Sequence, residues 1–228
     1  IATAEIAAAA ARGSGSGTTV VDLSKTSAPR PNVVQLLPGD VPKARKVELL
    51  TADDQHDAEV ARKALLSLKD AGVAAVVGPM TSAMAVAMVP VANEAGVLLV
   101  SPTVTTSALS GLDDQFFRVI SSTREYAVDS ARYHARRGGL RRIAAILDLS
   151  NAAYTEHWLA DYEAEFGKHG GSVLRREGYT FRPGMAFADI AKTALTDRPD
   201  GLLLLTGAVD AAQLLQQLRK LQPTLPVM

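Results

Sequence analysis

From Lys43 onward, short apolar runs alternate with amphipathic stretches of about 12 to 18 residues. A parallel sheet flanked by helices imprints that pattern on a sequence, so the fold class is α/β. The runs predict strands over 46–50, 74–77, 97–101, 116–120, 142–147, 172–178 and 201–205. The stretches between them predict helices over 56–71, 82–95, 122–137, 153–169, 186–195 and 208–221. In the first of these helices Val60, Ala64, Leu65 and Leu68 recur at spacings of three and four, which builds one apolar face to lie on a sheet. Strand-helix-strand units run on both sides of residues 116–122, so two lobes are expected, 1–120 and 121–228. The second opens on Ser122-Thr123-Arg124-Glu125, the spacing of a capping box at a helix start.

Upstream of Lys43 the pattern is irregular. Residues 2–11 are Ala-rich and helical in composition, and Gly13-Ser14-Gly15-Ser16-Gly17 is a flexible stop. Between Thr18 and Pro42, short β-branched runs are broken by Pro29, Pro31, Pro38 and Pro42, which reads as an insertion holding one or two edge strands. Composition then narrows the function. Lys plus Arg and Asp plus Glu are 24 each, so no global field attracts nucleic acid or an anionic membrane. The absence of Cys removes disulfides, thiolate metal sites and cysteine nucleophiles, and four His leave little for zinc. The longest apolar run, 83–92, is about half the roughly 20 residues of a membrane span and contains Pro90. The chain begins at Ile1 without a basic-then-apolar leader, so the expectation is a removed leader or a missing N-terminus.

Candidate chemistry sits where strands run into hydroxyl-rich turns. Val76-Val77-Gly78-Pro79-Met80-Thr81-Ser82 is an apolar strand that ends in Gly-Pro and opens a helix with two hydroxyl residues. A helix start offers unpaired N–H groups and a partial positive charge, so a small carboxylate can be held there without Lys or Arg. Thr81 and Ser82 add donors. The alternative, that either residue only caps its own helix, stays open at this level. A second turn of the same kind runs through Ser101-Pro102-Thr103-Val104-Thr105-Thr106-Ser107. Open α/β sheets bind ligands beyond the carboxyl ends of their strands, so two such turns on neighbouring strands would converge on one ligand.

These turns, followed by Phe117-Arg118-Val119-Ile120-Ser121-Ser122 and then by Arg142-Ile143-Ala144-Ala145-Ile146-Leu147-Asp148 with Ala153-Tyr154, carry a family resemblance. From Arg45 to Met228 the sequence resembles the type I periplasmic binding proteins of the branched-chain amino-acid class, the solute-binding proteins of ABC transporters. The resemblance implies a Venus-flytrap fold, with a small-molecule ligand in the cleft and closure passed to an ABC transporter permease outside the cytoplasm. Carried over, Ser82 and Thr105 hold the ligand's carboxylate and ammonium ends, with Thr81 and Thr103 beside them. Val104 contributes backbone groups. Tyr154, expected in a loop after a strand, closes from the second lobe, and the Gly207-Ala208-Val209 turn is a further contact. The resemblance also implies a first strand before Ile1, and beyond Met228 an acidic ammonium-binding loop and a return to the first lobe. No cofactor, metal, nucleic acid or membrane-inserted segment is implied.

Asp53, Asp54, His56, Asp57 and Glu59 superficially suggest a metal site, but acidic residues at a helix start cap N–H groups and favour the dipole. His134, His157 and His169 fall on helical segments among charged neighbours, where solvated positions are expected. An α/β enzyme would need a cofactor or nucleophile fingerprint, and no G-x-G-x-x-G, G-x-x-x-x-G-K-[ST] or G-x-S-x-G is present. A ligand-sensing receptor domain of the same fold is the remaining alternative.

Overall fold

A computed structural model of the chain describes residues 19–21 and 47–228. The helix expected over 2–11, the Gly/Ser segment and most of the irregular stretch lie outside the described residues. The chain divides into two compact units, Ile1–Ala52 and Asp53–Met228. In the first, β1 (Thr19–Val21) and β2 (Val47–Leu49) pair antiparallel, with Thr19 opposite Leu49. The alternation along the sequence puts β2 in a parallel array. It pairs antiparallel instead, an arrangement that needs no crossover helix between the two strands.

The second unit runs α1 (Ala58–Asp70), β3 (Val76–Val77), α2 (Ser82–Ala95), β4 (Leu99–Ser101) and β5 (Phe116–Arg118). It continues with α3 (Thr123–Arg136), β6 (Arg142–Asp148), α4 (Ala152–Lys168), β7 (Ser172–Tyr179), α5 (Phe187–Ala194), β8 (Gly201–Leu205) and α6 (Ala208–Leu221). Two separate parallel sheets result, ordered β3-β4-β5 and β7-β6-β8.

The first sheet packs one face on α1 and α2 through Ala61, Leu65, Met88, Ala92, Leu99 and Phe116. On its other face the register aligns Val77, Val100 and Phe117 in one row, and Val77 and Phe117 are exposed. Helix α1 starts later than residue 56 because Gln55 and His56 adopt positive φ of 51° and 54°. Asp57 then caps the helix, its Oδ1 accepting from the N–H groups of Glu59 and Val60 at 2.8 and 2.9 Å. Asp53 and Asp54 accept from Gln55 and His56 N–H in the same manner, so these three aspartates are engaged in turn and cap. No group of three or more His, Asp or Glu able to hold a metal occurs among the described residues. Helix α2 ends on Gly96, whose φ of 67° suits glycine and lets its N–H close onto the last carbonyls.

The second sheet is covered on both faces, and period-two alternation explains how one apolar strand serves two cores. Ile143, Ala145 and Leu147 of β6 face α3 and α4, where Ala127, Ala131, Leu159, Tyr162 and Phe166 are buried. Ala144 and Ile146 face α5 and α6 and meet Phe187, Ala191, Leu214 and Leu218. Three alanines on α3 allow α4 to come close with its ring stack of Trp158, Tyr162 and Phe166. The turn after α4 requires Gly171, because a Cβ there would sit 2.3 Å from the Phe166 ring. Residues 226–228 run beside β8, Leu202 N–H donating to Pro226 O and Met228 N–H to Leu202 O.

Two local expectations are corrected. Ser122 occupies the N-cap of α3 but makes no capping bond, so the capping box does not form. The Thr123 N–H instead donates to the Thr105 carbonyl at 2.6 Å, which ties the start of α3 to the first sheet's turn. His134 is half-buried with Nδ1 3.1 Å from the Tyr162 hydroxyl, not a solvated surface residue, because α4 packs over it. His157 is exposed. His169 is partly covered, its Nε2 3.4 Å from Glu165. No described helix is long and apolar enough to cross a membrane.

Candidate functional site

The turns after β3 and β4 are bolted to each other by side chains that the sequence places at their tips. Gly78, at φ 145°, lets the chain leave β3 while its N–H still donates to Val100 O at 2.9 Å. Fully buried Ser101 is the central bolt. Its hydroxyl donates to Pro79 O at 2.8 Å and accepts from the N–H groups of Thr103 and Val104 at 3.3 and 3.1 Å. Thr103 Oγ1 donates to Met80 O at 2.6 Å, and Thr106 N–H donates to Ser82 Oγ at 3.3 Å. Arg118 of β5 donates to Thr106 O at 2.7 Å and also to the Ser110 hydroxyl. The floor is therefore preorganised before any ligand arrives.

Beyond this floor lies a cavity of about 330 Å³. From the first sheet's side Thr81, Ser82, Thr103 and Thr105 line it, with Met80 at the edge. Tyr126, Asn151, Tyr154 and Trp158 line it from the second sheet's side. Five of the residues proposed from sequence, Thr81, Ser82, Thr103, Thr105 and Tyr154, are thus brought around one space. Val104 is not among them. It is fully buried and its N–H is taken by Ser101, so the backbone donor expected of it is already engaged. The turn around Gly207 is also absent from the lining; Val209 is exposed and Asp210 accepts from the Tyr179 hydroxyl at 2.8 Å.

The hydroxyls differ in what they can still do. Ser82 accepts one bond and keeps its own proton to donate. Thr105 is 92% buried, and its hydroxyl has no hydrogen-bond partner among the described residues. Thr103 has already committed its proton to Met80 O, which makes it a brace. Thr81 holds the N-cap position of α2 without capping it, and its Oγ1 is buried and unpartnered among the described residues. The first turn of α2 carries no acidic residue, so nothing on the helix offsets the positive end of its dipole.

Asn151 supplies the missing cap from the other sheet. It is the N-cap residue of α4, yet its side chain makes no bond to its own helix. Its Oδ1 accepts from Ala83 N–H of α2 at 3.0 Å. Tyr154 follows in the first turn of α4, not in a loop, because the helix begins at Ala152. Its ring is half-buried, and burial pushes its hydroxyl pKa up, so it stays a proton donor. Trp158, one turn on, stacks against Tyr162 with ring centres 5.3 Å apart. Sequence reasoning missed Tyr126, Asn151 and Trp158. The spacing of four from Tyr154 to Trp158 on a helix was a usable signal. Tyr126 and Asn151 had none, since each is brought in by the packing of another element.

Neutral donors at a helix start on one side, facing aromatic rings and an amide on the other, can grip a small anion between two sheets. Comparisons with known proteins agree with that architecture. The sequence pattern of the periplasmic binding protein family matches residues 38–227. A search of curated proteins finds no match. Among solved structures, the chain is similar to a leucine-binding protein, LivK, from Thermotoga maritima, with a TM-score of 0.68 and 24% identity over 80% of this chain and 51% of that one. It is also similar to LivJ from Streptococcus pneumoniae in complex with isoleucine, at a TM-score of 0.66 and 20% identity over 77% and 49% of the two chains. A solute-binding protein from Rhodopseudomonas palustris in complex with 3,4-dihydroxybenzoic acid aligns at 0.70 and 17% identity, over 80% and 50%. The chain spans about half the length of these structures. It belongs to the periplasmic binding protein family and has that family's α/β fold, with parallel sheets flanked by helices.

Proposed function

We propose that this chain forms the ligand cleft of an extracytoplasmic solute-binding protein that serves an ABC uptake system, and that its ligand is an amino acid or a similar small carboxylate. One observation carries the reading: the start of α2, which bears no acidic residue and is capped only by the neutral Asn151 amide, presents Ser82 beside Thr105 to one small cavity that Tyr154 lines from the other side. Similar structures hold leucine, isoleucine, benzoate or 3,4-dihydroxybenzoic acid, and all of these ligands carry a carboxylate. In this reading the first lobe, up to residue 120, binds the anionic head, and the second lobe, from 121, closes over it.

A ligand that touches both lobes only when they are shut shifts the population toward the shut form, and the permease reads that shift. Isothermal titration against amino acids, aliphatic carboxylates and aromatic carboxylates tests the reading. At least one carboxylate should bind one-to-one, and the matching carboxamide should bind far more weakly because it brings no charge to the helix start. Silence across the panel, or a carboxamide that binds as tightly as its acid, overturns it.

A further inference from the structure

The hydroxyl end of the cleft accounts for an anion, but the opposite wall has a character of its own. Phe, Tyr and Trp make up only 5% of the chain, yet three of them, Tyr126, Tyr154 and Trp158, meet at this one cavity. Trp158 is fixed from behind, its ring lying 17° from parallel to Tyr162, which in turn rests on Phe166 in the core. Tyr126 and Tyr154 pair with no other ring among the described residues. Tyr126 keeps 47% of its surface exposed beside the cavity, while the neighbouring Ala127 is fully buried in the core. Packing therefore anchors α3 and α4 and leaves two ring faces available to whatever enters.

We infer that the cleft selects a planar aromatic monocarboxylate, its ring against Tyr126, Tyr154 and Trp158 and its carboxylate at the start of α2. The inference rests on the function proposed above and narrows its ligand class. The cavity, about 330 Å³, is at the small end of ligand pockets, which suits a single ring bearing its carboxylate directly. Stacked and edge-on ring pairs gain affinity beyond the area they bury, and a saturated ring of similar bulk forgoes that gain. The Tyr154 hydroxyl, kept protonated by burial, can donate to the carboxylate or to a ring oxygen.

The test compares benzoate and 4-hydroxybenzoate with cyclohexanecarboxylate, L-leucine and L-isoleucine by calorimetry on the purified protein. The benzoates should bind about tenfold more tightly than cyclohexanecarboxylate and the amino acids, and benzoate should change the emission of Trp158, the only tryptophan in this sequence. Tyr126→Ala should cut the benzoate-to-cyclohexanecarboxylate preference by about tenfold. Tyr126 is exposed enough for this variant to fold, and circular dichroism would verify that it does. Leucine or cyclohexanecarboxylate binding as tightly as benzoate overturns the aromatic assignment and leaves the carboxylate-binding function standing. A preference unchanged in Tyr126→Ala also overturns it. Failure of every carboxylate to bind removes the function itself.

Discussion

Of the four Ser and Thr hydroxyls that line the cavity, those of Thr81, Ser82 and Thr105 keep capacity to donate, and that of Thr103 does not. Thr103 has donated its proton to Met80 O, whereas Thr105, a nearly buried residue at the cavity, makes no side-chain hydrogen bond among the described residues. A hydrogen bond to a charged group contributes about 1.5–3 kcal/mol, so Ser82→Ala and Thr105→Ala should each weaken carboxylate binding by roughly 10- to 150-fold. Thermal melts should show both variants folded. Unchanged affinity in both would place the anion elsewhere. The placement of these two residues at one cavity was legible, because both lie beyond the carboxyl ends of neighbouring parallel strands. Val104 stands outside the cavity lining for a reason the sequence hides. Only the fold shows that the Ser101 side chain turns back and captures its N–H.

Between elements, the packing of α3 on α4 shifts two titrating groups. His134 of α3 has its pKa lowered by burial under α4, beside the Tyr162 hydroxyl. Glu165 of α4 is held down to about 2 by hydrogen bonds from Lys168 and Arg132, so it stays ionised at ordinary pH. Both shifts are downward, but they act in different pH windows. For His134 the unfolded chain binds a proton near pH 6.5 that the folded chain resists, so its stabilising contribution is complete above that pH and declines as pH falls through it. The Glu165 contribution is complete above the ordinary carboxylate range and is lost only as pH falls toward about 2. Melting temperature should therefore drop between pH 7.5 and 5.5, and His134→Gln should flatten that part of the curve. An equally steep curve in the variant would assign the drop to other groups. The helices themselves were legible, since Ala127, Ala131 and Ala135 recur at spacings of four. Their pairing was not, because nothing in sequence order reveals that His134 lies beneath Tyr162.

At the scale of the whole molecule, the alternation of strands and helices sufficed for two parallel sheets, because parallel neighbours need a crossover connection that a helix supplies. It could not show how the sheets touch. Among the described residues, two hydrogen bonds cross from one side to the other: Thr123 N–H to Thr105 O, and Ala83 N–H to Asn151 Oδ1. The second has consequences for binding, because Asn151 accepts from an N–H at the very helix start that an incoming carboxylate would use. A neutral amide there tolerates an anion nearby and can offer its own NH₂ group. A carboxylate in its place would bind the helix end more strongly and repel the ligand. Asn151→Asp should therefore lower affinity for a small carboxylate by about tenfold, with part of the loss recovered at high salt. Asn151→Ala removes the link without adding charge, so the ligand-free protein should spend more time open and scatter X-rays with a larger radius of gyration. Affinity unaffected by the aspartate, together with identical scattering from the alanine variant, would reduce Asn151 to an ordinary surface residue at the end of its own helix.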